Sequence, residues 1–506
     1  MGVSTDPTTF AHLWAAAVGN RSHDTFLVFE GPDGHVAEWT FAEFDSQVAR
    51  VAALLASSGV RSGTAVHLAL TNSPTFVAVW IATTRLGAWI VPSDPMAREA
   101  ELEDHLLRTS PVVGFCAAER AGVYRRAAPE AMAVIEIDEA DVDFTAFPSV
   151  EFADWDAPQP TDRAAVMFTS GTTGRPKGVE ITQANYAFAG AVMANASDLG
   201  PADRQIVVLP LFHANAQYYS FASAIAVGAS VALMHTFSAS RFLDQCVRHQ
   251  ATCASLFASP IRMILARGRA VDGVELRHCW YAQNIADDQY ETIAEWLGCR
   301  PRQLYGMTET IPAVLTDQPS DPRADSMGYV TSGCQVDIHD AEGLSVRPDT
   351  VGEIVVGGVP GLTLFSGYLD DPGTTQAAYR DGWFLTGDRA SRSADDRYFF
   401  DGRRSDVLKV AGENVSTVEV ESVLTAHPAV LEASVVGAPD DIRDEVPVAF
   451  VVPTNPALPP TSSELTSWCN DRLSKSKVPR DITFLDELPR TSVGKIRKFI
   501  LKETVA

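Results

Sequence analysis

An α/β architecture is predicted: a large N-terminal domain of two α/β subdomains plus a β-rich module, then a small C-terminal α+β domain. Three observations predict it. At 506 residues the chain is too long for one hydrophobic core and requires at least two domains. Strand-like apolar runs alternate with helical patterns through most of the sequence, as α/β layering demands. From Val351 the texture changes to short alternating runs punctuated by glycine, such as Gly352-Glu-Ile-Val-Val-Gly-Gly358 and Asp381-Gly-Trp-Phe384.

The elements follow in order. Phe41 to Ser58 places Phe44, Val48, Val51 and Leu54 or Leu55 on one face and reads as a helix. Thr64 to Leu70 reads as a strand, and Pro74 to Leu86 as an apolar helix with its proline in the first turn. Trp89-Ile-Val-Pro92 and Ala164 to Phe168 read as further buried strands. Gln205 to Ser240 carries no charge with histidine counted neutral, but Pro210, His213, Asn215, Gln217 and Gly228 interrupt it. It therefore reads as strand, loop, helix and strand rather than a membrane span. Ser230 to Met234 and Phe242 to His249 repeat the strand and helix rhythm. The charged stretch Asp401-Gly-Arg-Arg-Ser-Asp406 marks the boundary between a large domain, residues 1–402, and a small one, residues 403–506, with a hinge near 403–406. Beyond it, helices at Thr417 to Ala426 and Ser462 to Ser474 and strands at Val430 to Val436 and Val446 to Val452 suffice for an α+β unit.

The composition, 46% hydrophobic and 21% charged, is that of a globular enzyme. A net charge of −24 argues against nucleic-acid or anionic-membrane partners, which need basic patches. Seven cysteines are scattered without a Cys-x-x-Cys pair, which fits reduced, packed thiols in a cytoplasmic protein and argues against a zinc site. The start, Met1-Gly-Val-Ser-Thr-Asp-Pro7, lacks the basic and apolar regions of a signal peptide.

Phe168-Thr-Ser-Gly-Thr-Thr-Gly-Arg-Pro-Lys-Gly178 is the most informative stretch. Glycine lets the backbone approach a ligand, Ser170, Thr172 and Thr173 supply hydroxyl donors, and Lys177 supplies a cation. That combination suits a phosphate chain. It is not the common nucleotide P-loop, because Lys177 lies between Pro176 and Gly178 instead of opening a helix. An ordinary Gly/Thr-rich turn is the other reading of the same residues.

Four more segments follow in order: Tyr305-Gly-Met-Thr-Glu-Thr310; Trp383-Phe-Leu-Thr-Gly-Asp388; Arg403 with Leu408-Lys-Val-Ala-Gly-Glu-Asn-Val-Ser-Thr-Val-Glu-Val-Glu421; and Leu488-Pro-Arg-Thr-Ser-Val-Gly-Lys-Ile-Arg-Lys498. With the loop they resemble the adenylate-forming superfamily of acyl-CoA synthetases, non-ribosomal-peptide adenylation domains and luciferases. The resemblance runs from about residue 10 to 502. It implies ATP and Mg²⁺, with CoA as co-substrate, and a small domain that rotates between two half-reactions.

The resemblance also implies roles. Thr169, Ser170, Gly171, Thr172, Thr173, Gly174 and Lys177 would close over the β- and γ-phosphates. Glu309 would contact Mg²⁺, since a carboxylate beside a polyphosphate needs an intervening cation. Thr308 would bond the nucleotide phosphate, while Tyr305 and Gly306 would lie near adenine. Taken alone, Thr308-Glu309 also fits a helix N-terminus, and Gly387-Asp388 an ordinary turn. Asp388 would hold the ribose, with Arg403 beside it. Lys409, Gly412 and Glu413 would line the pantetheine tunnel, and Lys495 would bridge the substrate carboxylate and α-phosphate, lowering repulsion between two anions. Ser405 stands where the family has Asp or Lys at its hinge, which leaves the hinge energetics open.

The acyl pocket is expected between Leu209-Pro-Leu-Phe-His213 and the Tyr305 segment, with His213, Asn215, Tyr218 and Met307 facing it. Trp280-Tyr-Ala-Gln-Asn-Ile285 forms another wall. Gln283 and Asn284, where many relatives carry a Gly-Gly-Ala-Pro type sequence, resemble the betaine- and carnitine-type CoA ligase branch; they would hydrogen-bond either the adenine of the nucleotide or the acid, and favour a small polar or aromatic acid. The expected activity is AMP- and pyrophosphate-forming acid:CoA ligation. A second reading keeps adenylation but passes the group to a carrier-protein thiol or an amine, or activates nitrite for attack by an aryl amine. The partners are thus a small acid, or nitrite plus an amine, with a carrier protein and a homodimer left open.

Overall fold

The computed structural model describes residues 8–145, 147, 156–169, 176–403, 407–410, 413–440, 444–490 and 496–505; for 407, 409, 413, 414 and 444 only the backbone is described. The predicted α/β class is what the chain adopts. Among the described residues two large sheets dominate. One runs Tyr329–Val330, Leu315–Thr316, Arg302–Tyr305, His278–Ala282, Cys253–Phe257, Arg204–Val207, Ser230–Met234, Thr25–Glu30, Val36–Thr40. The other runs Gly367–Tyr368, Lys177–Thr182, Arg163–Thr169, Trp89–Pro92, Ala65–Ala69, Val113–Ala117, Ala133–Ile137. Their centres are parallel; the first sheet is antiparallel at both edges, the second only at its Gly367–Tyr368 end, its Ala133–Ile137 edge being parallel, so helical crossovers must cover them.

Those helices form the central layer. Pro74–Arg85 starts on a Ser73 cap with proline in its first turn and is buried from Pro74 to Thr84. Gln183–Ala196, capped reciprocally by Thr182 and Asn185, is buried on nearly every side. A helix apolar all round belongs between two layers, and both join strands of each large sheet in one core. Gly190 permits the close packing: a Cβ there would lie 2.5 Å from the Ala222 carbonyl oxygen. Phe41–Ser57 opens with a Thr40–Glu43 capping box and buries Phe44, Val48, Val51 and Leu55, the face its spacing predicts.

The glycine-punctuated region forms a third, antiparallel sheet: Gln335–His339, Gly352–Gly357, Trp383–Arg392 and Tyr379–Arg380 in order, with Tyr398–Arg403 also pairing Trp383–Arg392. A fourth sheet runs Glu413–Ser416, Val407–Val410, Asp444–Pro453, Val430–Asp440, with Asp481–Phe484 beside Asp444–Pro453. Helices Thr417–Thr425 and Ser462–Asn470 complete this last unit. Two differences from expectation stand out. The strands Val430–Asp440 and Asp444–Pro453 are longer than predicted, because pairing continues through Gly437-Ala-Pro439, where the apolar pattern falters. The helix predicted to Ser474 ends at Asn470, and Arg472 and Leu473 turn back onto the Cys469 carbonyl.

All seven cysteines are free, and burial pushes the Cys116 and Cys253 thiols up to about 11, leaving them inert at neutral pH. Among the described residues no helix is long and apolar enough to cross a membrane.

Candidate active site

The Gly/Thr-rich loop joins two antiparallel strands, Arg163–Thr169 and Lys177–Thr182, with Thr169 opposite Lys177. A strand, not a helix, follows it, which separates it from the P-loop. Ser170, Gly171, Thr172, Thr173 and Gly174 lie outside the described residues. Both anchors of the loop are gripped by one helix, Glu99–Thr109. His105 stacks on Phe168 at 4.0 Å. Arg108 lies 4.7 Å from the same ring and donates a 2.7 Å hydrogen bond to the Pro176 carbonyl. His105 also belongs to a buried chain in which Ser93 Oγ lies 2.8 Å from its Nδ1 and 3.0 Å from His67 Nε2, and Tyr124 Oη lies 2.7 Å from His67 Nδ1. Burial holds His105 down at about 4 and His67 well below its usual value.

After strand Arg302–Tyr305 the chain forms a turn, not a helix, through Thr308-Glu309-Thr310. Thr310 Oγ1 closes it, accepting from the Met307 N–H at 2.9 Å and donating to the Met307 carbonyl at 3.1 Å. Gly306 fits where a Cβ would meet the Pro312 carbonyl oxygen and Tyr219 hydroxyl at 2.9 Å. Ile311 takes a positive φ of 72°, a genuine outlier for a β-branched residue and a sign of strain held by its surroundings. Thr308 is half-buried and the Glu309 carboxylate is buried. Tyr368 donates a 3.0 Å hydrogen bond to Glu309 Oε1, and Lys177 Nζ lies 4.8 Å from the centre of the Tyr368 ring. The lysine of the loop and the carboxylate of the turn thus flank one side chain.

Asp388 follows Gly387, whose φ of 74° favours glycine, at a bulge between Trp383–Arg392 and Tyr398–Arg403. Its carboxylate is 3% exposed and engaged on both oxygens: Arg403 Nε donates to Oδ1 at 2.8 Å and Tyr305 Oη to Oδ2 at 2.8 Å. The structure therefore brings Tyr305, Asp388 and Arg403 together.

Of the C-terminal positions, Lys409 and Glu413 fall on a backbone hairpin, Val407–Val410 against Glu413–Ser416; their side chains, and Ser405, Gly412 and Lys495, lie outside what is described. Arg490 pairs in a β-bridge with Ile496, so the segment bearing Lys495 has described ends. Arg490 donates to Glu432, and Glu432 lies 3.8 Å from Arg262 on helix Ala258–Arg267. Arg262 in turn donates to the Asn284 carbonyl at 2.9 Å. This bridge between the C-terminal unit and the Gln283-Asn284 wall has no local sequence signal.

Around the expected acyl pocket, a π-helical segment carries Asn215 to Ala222, a form common at functional sites. Asn215 Oδ1 accepts from Ser255 at 2.9 Å. Half-buried His213 packs on Phe212 at 4.4 Å, and Met307 is half-buried. Tyr218 is fully buried, and its hydroxyl has no hydrogen-bond partner among the described residues. Burial first, then neighbouring tyrosines and Glu309, push its pKa well up. Gln283 and Asn284 are exposed. Gln283 has φ 74°, and Asn284 Oδ1 accepts from Gln303 at 2.9 Å.

The family model described as AMP-binding enzyme matches residues 14–369, and that of the AMP-binding enzyme C-terminal domain matches 419–495. The crotonobetaine/carnitine–CoA ligase of Salmonella typhimurium is 32% identical, over 97% of this chain and 98% of its own. The anthranilate CoA ligase AuaEII in complex with anthranoyl-AMP superposes with a TM-score of 0.88 at 26% identity, over 98% of this chain and 97% of its own. The o-succinylbenzoate CoA synthetase of Bacillus subtilis, in complex with its acyl-adenylate, gives 0.84 at 28% identity, over 97% of each chain. With matches spanning both parts of the sequence, the chain belongs to the AMP-binding enzymes of the adenylate-forming superfamily and is an AMP-forming ligase.

Proposed function

We propose that the protein is an acid:CoA ligase acting on a small polar or aromatic carboxylic acid. The observation that carries this reading is the placement of Lys177 and Glu309 on either side of Tyr368, with Tyr305, four residues before Glu309, bonded to the Asp388 that Arg403 also holds. A cation and a carboxylate so placed suit a metal–triphosphate, and a buried, doubly held carboxylate suits a ribose.

Among the described residues no cluster of three or more His, Cys, Asp or Glu is arranged for a metal. One buried carboxylate fits Mg²⁺ nonetheless, because that ion is commonly held by one or two carboxylates together with substrate phosphates and water. Glu309 would hold it, and the ion would supply charge neutralisation for the phosphates. Thr169, Lys177, Thr308 and the loop residues Ser170 to Gly174 bind and orient the triphosphate. Tyr305 and Gly306 pack near adenine, with Gln283 and Asn284 on the adjoining wall.

In the first half-reaction a carboxylate oxygen attacks the α-phosphorus, and the bond to the departing pyrophosphate breaks. Lys495 draws the two anions together. In the second, the small domain turns about a hinge near 403–406. Lys409, Gly412 and Glu413 then guide the CoA thiol, whose sulfur attacks the acyl carbon as AMP leaves. Exposed Gln283 and Asn284, and the Tyr218 hydroxyl, which has no hydrogen-bond partner among the described residues, support a polar or aromatic acid, as do the substrates in the names of the relatives. AMP release that requires both an acid and CoA tests this reading.

A further inference from the structure

We propose that Tyr368 is a positioning residue that holds the triphosphate lysine and the metal-facing carboxylate in fixed relation. The inference rests on the adenylation reading above and deepens it. The Tyr368 hydroxyl donates to Glu309 Oε1 at 3.0 Å, while Lys177 Nζ lies 4.8 Å from the ring centre. One side chain thus makes two polar contacts of opposite sign. A phenol that donates its proton to a carboxylate becomes richer in π-electron density, which strengthens attraction to a cation over its face. The ring is 8% exposed, so both contacts operate with little screening. Burial first, then Glu309, push the phenol pKa well up, and the hydroxyl remains a donor.

The backbone around Tyr368 ties the same two segments. The Phe365 N–H donates to the Glu309 carbonyl at 3.0 Å. Ser366 donates to the Glu180 carbonyl at 2.9 Å and Leu369 to the Gly178 carbonyl at 2.8 Å, on the strand that begins with Lys177. Tyr368 itself pairs with Val179. Residues 365–369 are therefore a strap from the carboxylate turn to the exit of the loop. Phe365 packs edge-on against the Tyr368 ring at 4.9 Å and fixes its tilt. Apolar packing alone would need no hydroxyl here, and a hydroxyl alone would need no lysine over the ring.

Two substitutions separate the contacts. Tyr368→Phe keeps the ring beneath Lys177 and removes the bond to Glu309. It should raise the Mg²⁺ concentration for half-maximal pyrophosphate exchange about ten-fold, with ATP affinity measured calorimetrically in EDTA lowered by less than about two-fold, since the ring stays but loses part of its π-density. Tyr368→Leu removes both contacts and should also weaken metal-free ATP binding roughly two- to five-fold. Matching melting temperatures exclude general unfolding. A Tyr368→Phe enzyme with the wild-type Mg²⁺ requirement, or a Tyr368→Leu enzyme with wild-type metal-free ATP affinity, overturns the proposal. If the wild type exchanges pyrophosphate with no acid, the adenylation reading falls instead. Calorimetry of ATP with and without Mg²⁺ then decides Tyr368 by the same two comparisons.

Discussion

Tyr305 and Asp388, 83 residues apart, are joined by a 2.8 Å hydrogen bond from the phenol to Oδ2. Arg403 holds the other oxygen at 2.8 Å, so the carboxylate cannot rotate freely and presents its remaining lone pairs in one direction. Tyr305→Phe removes one of two restraints on a charged acceptor. Such a bond contributes about 1.5–3 kcal/mol, part of which appears in nucleotide binding. The KM for ATP should rise roughly three- to ten-fold, with a smaller change in kcat. Steady-state kinetics check this, and an unchanged KM would show that Asp388 does not depend on Tyr305.

Lys495→Ala should abolish pyrophosphate exchange yet leave thiolysis of a supplied acyl-adenylate near wild-type rates. A cation needed only while two anions meet stabilises one transition state and not the other. Equal loss in both half-reactions contradicts an alternation of domains.

Glu432 joins Arg490, at the base of the Lys495 segment, to Arg262 on the large domain. Glu432→Gln leaves two guanidinium groups facing a neutral amide. Losing one partner of a partly buried ion pair costs roughly 1–3 kcal/mol. Exchange should therefore fall about five-fold or more, while thiolysis is spared because that step uses another orientation. Loss of thiolysis to the same degree would assign Glu432 to folding alone.

His105 gives the fold a defined acid sensitivity. Burial, opposed by Asp104 and reinforced by Arg108, holds it at about 4 against an ordinary 6.5. The unfolded chain therefore binds this proton first, and stability falls as pH drops from about 6.5 towards 4. The cost between pH 7 and pH 5 is about 2 kcal/mol from this group. His67 and His278, also lowered mainly by burial, act in the same sense. His105→Asn should shrink the shift in urea midpoint between those two pH values. An undiminished shift would mean that His105 is not the group titrating.

Much of this was legible in the sequence, for a physical reason. The composition of the Lys177 loop suits a phosphate by itself, since local chemistry leaves local marks, whereas Tyr305, Glu309 and Asp388 are marked only by the ordered set of segments that resembles the adenylate-forming superfamily. The helices at Phe41–Ser57 and Pro74–Arg85 were equally clear, since apolar spacing and a first-turn proline are local too. Helix Phe10–Arg21 carries no such mark: Trp14-Ala-Ala-Ala17 presents small side chains in place of a marked apolar stripe. The contacts of Tyr368, the His105 and Arg108 grip on the loop, and the Arg262–Glu432–Arg490 bridge pair segments far apart in the chain. No spacing rule encodes them, because they exist only once the sheets have formed.

The reaction proposed for this protein is acid activation followed by transfer to CoA. ATP–pyrophosphate exchange across a panel of carboxylic acids and nitrite, with AMP release followed with and without CoA, tests it most directly. Small polar or aromatic acids should stimulate exchange, and AMP release should depend on CoA. Exchange with long-chain acids alone, with nitrite alone, or with nothing in the panel would contradict it.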